Sequence, residues 1–417
     1  MNRASPDAKA AEGQLRTAGD VFRSLWGRVS QGDIGSLPVL VGLLLIGVVF
    51  QLANPNFLTP VNLTNLMSQI AAVGTLSVGV TMVLLLGEID LSVGAVSGFA
   101  AAIMAVLSVK SGLPGPLAVL LAILAGVLIG LFQGFWFARL HVPSFVVTLA
   151  GYLGWQGALL YVLGSTGTVN LTDPFIIGLA NTRLPLALGW AVGIIFVLLD
   201  ALLELRQRAQ RAAAGLPVQS IGALIGRLAL VAAALLIAVG IMSVNRNPVK
   251  GGIPIQGVPL GVLVLIAFIV ILDLVTRRTP FGRHLFAVGG NAEAARRAGI
   301  NVDRMRIAAF TLCSGLAACG GVLAGSRLLA VNQSSGSGDV LLNAIAAAVI
   351  GGTSLFGGRG STWAALLGAL VIGAIANGMD LLAFSSSVKF MVTGAVLLLA
   401  VTIDAYARSR RLQTGRS

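Results

Sequence analysis

The chain has 417 residues, 56% of them hydrophobic and only 10% charged, and its formal net charge is +13. A soluble domain carries roughly 25% charged residues, so these few cannot cover a globule with polar surface. The composition specifies an integral membrane protein and excludes a soluble enzyme, a nucleic-acid-binding domain and a disordered tail; in a membrane protein, excess basic charge reports residues kept in cytoplasmic connections.

Residues 1–36 are polar and mixed in charge. They are too long a lead for a signal peptide, and no cleavage pattern follows the first apolar run, so they read as a cytoplasmic tail. A spanning helix needs about 20 mainly apolar residues. Such windows fall at 37–53, 66–86, 92–109, 116–138, 145–163, 186–205, 228–244, 260–275, 307–326, 341–358, 361–380 and 388–404, and residues 405–417 form a second cytoplasmic tail. The expected fold is an all-α polytopic bundle of about 10–12 transmembrane helices, fewer than twelve if one segment is re-entrant. With twelve spans and the N-terminus inside, 22 basic residues fall inside and 6 outside, which accounts for all 28. That asymmetry puts both termini in the cytoplasm.

Between the second and third windows, GEIDLSVG (87–94) carries Glu88 and Asp90. Carboxylates near membrane depth are costly and usually functional, which allows a proton relay. The competing reading is that Asp90, with Ser92 nearby, caps the following helix. The other acids, including Asp200, Glu204, Asp273, Asp380 and Asp404, fall towards segment ends, whereas an ion-coupled transporter would more often bury a carboxylate in mid-span.

The connection 276–306 is the longest polar stretch after the N-terminal tail and holds seven arginines. Asn291 is a good N-cap, Glu293 suits the first turn and can pair with Arg297, and Gly299 fits a helix stop. A short capped surface helix over 291–299 suits docking of a soluble partner; a plain solvated loop is the alternative. Further on, 332–360 mixes small polar groups with an apolar run. Asn343, Thr353 and Ser354 are candidates to line a polar path, or hydroxyls satisfied within helix packing. GGTSLFGG (351–358) shares the positions of two glycines and a leucine with GEIDLSVG, a weak sign of internal repetition.

None of the four lysines follows a glycine, so the chain lacks a phosphate-binding Gly-Lys-Ser/Thr loop. Cys313 and Cys319 lie six apart on different helix faces, and His141 and His284 are far apart, so no metal or catalytic cluster is expected.

GEIDLSVG, FGRHLFAVGGNAEAARRAGI and LLNAIAAAVIGGTSLFGGRGS occur in this order. Together they resemble the permease subunits of bacterial ABC importers for monosaccharides of the ribose and xylose type, and the resemblance covers about 37–404. The Arg-rich connection 206–227 and the extra apolar segment 228–244 are similar to the xylose branch, which makes D-xylose the expected sugar. The resemblance implies a type II importer fold in the bacterial inner membrane. It implies two permease copies, a cytoplasmic ATPase that binds ATP and magnesium, and a periplasmic sugar-binding protein, with no cofactor or enzymatic activity in this chain. It also implies that 291–299 is the cytoplasmic coupling region, with Gly290, Asn291, Glu293, Ala294, Arg296 and Gly299 as contacts or supports, and that Asp90 is not a proton carrier. An ion-coupled transporter using Glu88 or Asp90 is the alternative. A membrane-embedded enzyme would need an acid, His or Cys cluster that the sequence lacks.

Overall fold

The computed structural model describes residues 37–413, apart from Pro217, Gln219 and Lys250. The expected tail 1–36 lies outside the described residues, as do the last four residues of the C-terminal tail. Among the described residues, nine helices are long and apolar enough to cross a membrane, and three shorter apolar helices accompany them. All twelve sequence windows therefore correspond to helices. The chain is a multi-pass, all-helical membrane protein.

In chain order the helices are α1 (Leu37–Ala53), α2 (Pro60–Leu85), α3 (Val93–Ala105), α4 (Gly115–Leu140), α5 (Ser144–Leu163), α6 (Pro174–Asn181), α7 (Leu186–Ala213) and α8 (Ile221–Ser243). They continue as α9 (Leu260–Arg278), α10 (Pro280–Gly290), α11 (Ala292–Arg297), α12 (Val302–Leu328), α13 (Gly338–Ile350), α14 (Thr362–Leu381) and α15 (Ser386–Gln413). A π-helical turn, Val106–Lys110, prolongs α3. One short antiparallel ladder joins β1 (Thr168–Asn170) to β2 (Ala330–Asn332), with Val169 opposite Val331. One end of the bundle thus carries this ladder, and the other carries α10 and α11.

The core is built around α12. Lipid is as apolar as leucine, so membrane helices associate through close packing of small residues rather than through water exclusion. Gly126, Gly130 and Gly134 recur every fourth residue on α4 and form one stripe that lies on α12. A Cβ at Gly130 would sit 2.4 Å from the carbonyl oxygen of Phe310. On other sides of α12, Gly320 meets Leu76 of α2 and Gly321 meets the Ser97 backbone of α3. Met82, Leu84, Val96, Phe310 and Cys313 are fully enclosed there.

The pair α7–α8 is peripheral, with few buried residues. At about 1.5 Å per residue, the 28-residue α7 is ~42 Å long, more than the ~30 Å hydrocarbon core requires. Its last two turns carry Arg206, Arg208 and Arg211, so part of the expected 206–227 connection is helix. Arg227 also lies within a helix, α8, where it pairs with Glu204 and, at 3.5 Å, with Asp200 of α7. These contacts cross-link the two helices of the hairpin.

The expected window 341–358 is divided. Helix α13 ends at Ile350, and 351–361 is irregular up to the start of α14, where the Ser361 side chain accepts from the Ala364 N–H. The glycines at 351, 352, 357, 358 and 360 end the helix early; four of them have positive φ, a conformation in which L side chains are strained.

Gly130→Ala is expected to force α4 off α12 and cost about 1–3 kcal/mol, the usual price of overpacking. Gly154→Ala meets nothing within 4 Å and is expected to be neutral. Thermal melting of the two purified variants in detergent checks the contrast.

Candidate functional site

The three sequence motifs converge at the α10–α11 end. The N–H of Gly358 donates to Leu85 O at 3.0 Å, which ties the loop after α13 to the end of α2. Gly289, in the last turn of α10, sits against the same carbonyl. A Cβ there would fall 1.7 Å from Leu85 O and 2.8 Å from Gly358 N. Gly87 packs against the backbone of Phe356 and Gly357. Three chain segments distant in sequence therefore meet backbone to backbone, with no room for a side chain at Gly289 or at Gly357, where a Cβ would fall 2.6 Å from Gly289 O.

This junction carries α11. The Asn291 side chain accepts from the Ala294 N–H at 2.9 Å, and Gly299 follows the helix with φ +84°. Glu293 pairs with Arg296 and Arg297, each at 3.3 Å. Ala295 is buried, together with Leu285 and Val288 of α10. Gly290, Asn291, Glu293, Ala294, Arg296 and Gly299 are exposed, so the predicted set forms one accessible face on a buried footing. The steric need at the Gly289–Gly290 pair falls on Gly289. Gly290 meets nothing within 4 Å, and the pair itself was the only signal in the sequence.

The two carboxylates of GEIDLSVG have different surroundings. Glu88 is part-buried: Arg306 of α12 reaches it at 3.3 Å, and the Ser144 hydroxyl donates to it at 2.7 Å. The Arg306 guanidinium also stacks over the Phe137 ring, 4.5 Å from its centroid. Glu88 thereby links the α2–α3 connection to α5 and α12, and Phe137 adds α4. Asp90 is fully buried. Its Oδ1 accepts from the Ser92 N–H at 2.8 Å and from the Ser92 hydroxyl at 2.6 Å. It is not the N-cap of α3. Ser92 holds that place without a side-chain cap bond, and Asp90 fixes the turn from two positions earlier. Burial pushes the Asp90 carboxyl up from its ordinary range, against the opposing pull of its hydrogen bonds to Ser92. Glu88 is engaged as half of an ion pair with Arg306.

Thr353 and Ser354 lie beyond α13, buried beside this junction. Asn343 is half-buried on α13. None of these three, and neither Asp90 nor Ser92, lines the polar-edged cavity at the other end of the bundle. That cavity, of about 360 Å³, opens near the ladder end between α2, α3, α12 and the 332–340 segment. Its polar lining comes from Ser97, Asn332, Ser334, Ser335, Ser337 and Asp339. The 332–360 stretch does line this cavity, through its first residues rather than through Asn343, Thr353 and Ser354. Helical facing and the early end of α13 put those residues elsewhere. Among the described residues, no group of three or more His, Cys, Asp or Glu side chains could hold a metal ion.

Arg306→Gln is expected to cost about 1.5–3 kcal/mol, the range for a hydrogen bond to a charged group, and much less when combined with Glu88→Gln. A double-mutant cycle on melting temperature measures this coupling. Asp90→Asn keeps the acceptor for the Ser92 N–H without the buried charge, so it is expected to keep near-normal stability at neutral pH. Asp90→Ala leaves that N–H unpartnered, at about 1–3 kcal/mol.

Residues 62–401 match the family model described as "Branched-chain amino acid transport system / permease component". The chain is 37% identical over 354 residues to the xylose transport system permease protein XylH of Escherichia coli K12, covering 85% of this chain and 87% of the relative. It is 35% identical to XylH of Haemophilus influenzae over 88% of this chain and 95% of that protein. The ribose import permease protein RbsC of Bacillus subtilis is 30% identical over 89% and 94%. No solved structure matches. With twelve apolar helices among the described residues, the converging glycine junction and relatives aligned over most of both chains, the protein belongs to this permease-component family and is a permease of the ribose/xylose ABC type.

Proposed function

We propose that the chain forms the translocation pathway of an ATP-driven importer for a monosaccharide, D-xylose in the first instance. The carrying observation is the junction at Gly289, which seats the exposed α11 on the ends of α2 and α10 and on the loop after α13. A soluble partner that displaces α11 acts at once on three membrane segments. Seven of the 28 basic residues lie in 276–306, which favours a cytoplasmic position for this end, with both chain termini on the same side.

In this reading a cytoplasmic ATPase subunit binds ATP and magnesium and docks on α11, contacting Asn291, Glu293, Ala294 and Arg296. A periplasmic binding protein delivers sugar at the ladder end, and a second copy of the chain completes the pathway. Selectivity then rests largely on the binding protein, because a tight site in the path would slow release. The preference for xylose over ribose is supported by the higher identity to the xylose permeases and by the α7–α8 hairpin.

Two substitutions test the docking role. Ala295 donates its N–H to Asn291 O, so Ala295→Pro removes a bond that holds α11 and disturbs its buried anchor. Arg296→Glu reverses charge on the exposed face with α11 intact. Each is expected to lower ATPase co-purification by about tenfold or more, equivalent to ~1.4 kcal/mol, with normal permease yield in the membrane. Wild-type co-purification and sugar-stimulated turnover in both variants would refute docking on α11. Uptake is expected to survive collapse of the proton gradient while ATP is held constant, and to stop on ATP depletion.

A further inference from the structure

The 360 Å³ cavity lies within the roughly 300–1,000 Å³ range of small-molecule sites. Its deep walls are small residues of α3 and α12, among them Gly98 and Gly321. Its polar side is the 332–339 segment, which is held firmly. The β1–β2 ladder fixes its start, Gln156 Nε2 donates to Gln333 O, and the Ser335 N–H donates to Asn332 O. Asn332 Oδ1 accepts from the Ser334 N–H at 2.9 Å. That bond fixes the orientation of the amide and leaves its Nδ2 hydrogens free to donate. The Ser337 hydroxyl donates to Asp339 Oδ1 at 2.8 Å, which leaves the second carboxylate oxygen of an exposed side chain to accept. The cavity therefore offers a donor amide, the Ser334 hydroxyl to give or take, one carboxylate, and the hydroxyl oxygens of Ser97 and Ser337, whose protons are already donated to Gly94 O and Asp339. No Lys, Arg or His side chain lines it, so an anionic solute finds no counter-charge.

We propose that this cavity is a low-affinity site for an uncharged polyol, the monosaccharide in transit, in which Asp339 accepts from sugar hydroxyls and Asn332 donates to one. The proposal rests on the sugar-importer reading and adds the place within the subunit where the sugar pauses. The short helix α13 begins at this cavity and ends at the Gly289 junction, about 20 Å away at 1.5 Å per residue for its 13 residues. Site and junction therefore share one rigid element.

The test uses the full transporter reconstituted in proteoliposomes, with Ser334→Cys as an alkylation target. The parent chain, whose Cys313 is buried and Cys319 half-buried, gives the background. D-xylose is expected to slow maleimide labelling of Ser334→Cys; at twice its Kd the slowing is about threefold, as 1 + [L]/Kd requires. L-leucine is expected to leave the rate unchanged, and Asp339→Asn is expected to weaken the xylose effect. Ala324→Phe, which fills the cavity from α12, is expected to lower maximal uptake with ATPase co-purification intact. The site is refuted if the wild-type complex imports xylose yet xylose gives no protection. It is equally refuted if leucine protects as well as xylose does, or if Ala324→Phe imports at the wild-type rate. If the wild-type complex neither imports nor hydrolyses ATP in response to sugar, the importer reading fails and the site fails with it.

Discussion

The structure depends on how closely backbones approach one another in a solvent that does not drive them together. Lipid gives leucine no reason to leave it, so helix contacts come from van der Waals fit and from satisfied polar groups. The stripe Gly126–Gly130–Gly134 lets α4 lie on the backbone of α12, and Gly320 and Gly321 admit α2 and α3 on its other sides. With α12 enclosed, the remaining helices pack outwards, until α7 and α8 expose most of their surface. The same device, glycine against a carbonyl, recurs at Gly289, where it joins membrane helices to the exposed helix α11.

Polar chemistry is sparse and is placed where it constrains movement. Glu88, Arg306 and Ser144 tie the α2–α3 connection to α5 and α12. Asp90 fixes the turn into α3 from within. A carboxylate already held by an ion pair and a hydroxyl suits a latch better than a carrier, because carrying an ion would require breaking those contacts in every cycle. The division of the 341–358 window has a similar consequence. A half-length helix flanked by a polar loop on one side and a glycine-rich loop on the other leaves non-helical backbone packed within the bundle. Such backbone is tolerated only where protein or a cavity satisfies it, and both occur here, at the Gly289 junction and at the 332–339 cavity.

Much of the site was visible in the sequence because its signals are local. The cap at Asn291, the pairing of Glu293 with Arg297 and the stop at Gly299 all act within one turn of helix. The Asp90–Ser92 turn was nearly as accessible, although Asp90 lies two positions before the N-cap. The surroundings of the path candidates are not local. Asn343, Thr353 and Ser354 have suitable chemistry, but whether a small polar side chain faces a cavity or a neighbouring helix depends on helix rotation and on where α13 ends. Gly289 was hidden for another reason: one glycine among 53 acquires meaning only from the carbonyl opposite it, which belongs to Leu85, some two hundred residues earlier.

The sequence by itself determined that the protein lives in a membrane, that it has about twelve apolar segments, that a capped polar helix interrupts them, and that no phosphate-binding loop is present. Composition, period and spacing are properties of neighbouring residues, and the resemblance to monosaccharide permeases rests on runs of such residues. Only the tertiary structure decided that three motifs form one junction, that Glu88 is bound by Arg306, and that the polar cavity belongs to Ser97 and 332–339 rather than to the residues after Asn343. Those facts depend on which backbone lies opposite which. In a bundle packed through glycine, that is set by contacts between helices far apart in the chain, which no local pattern records.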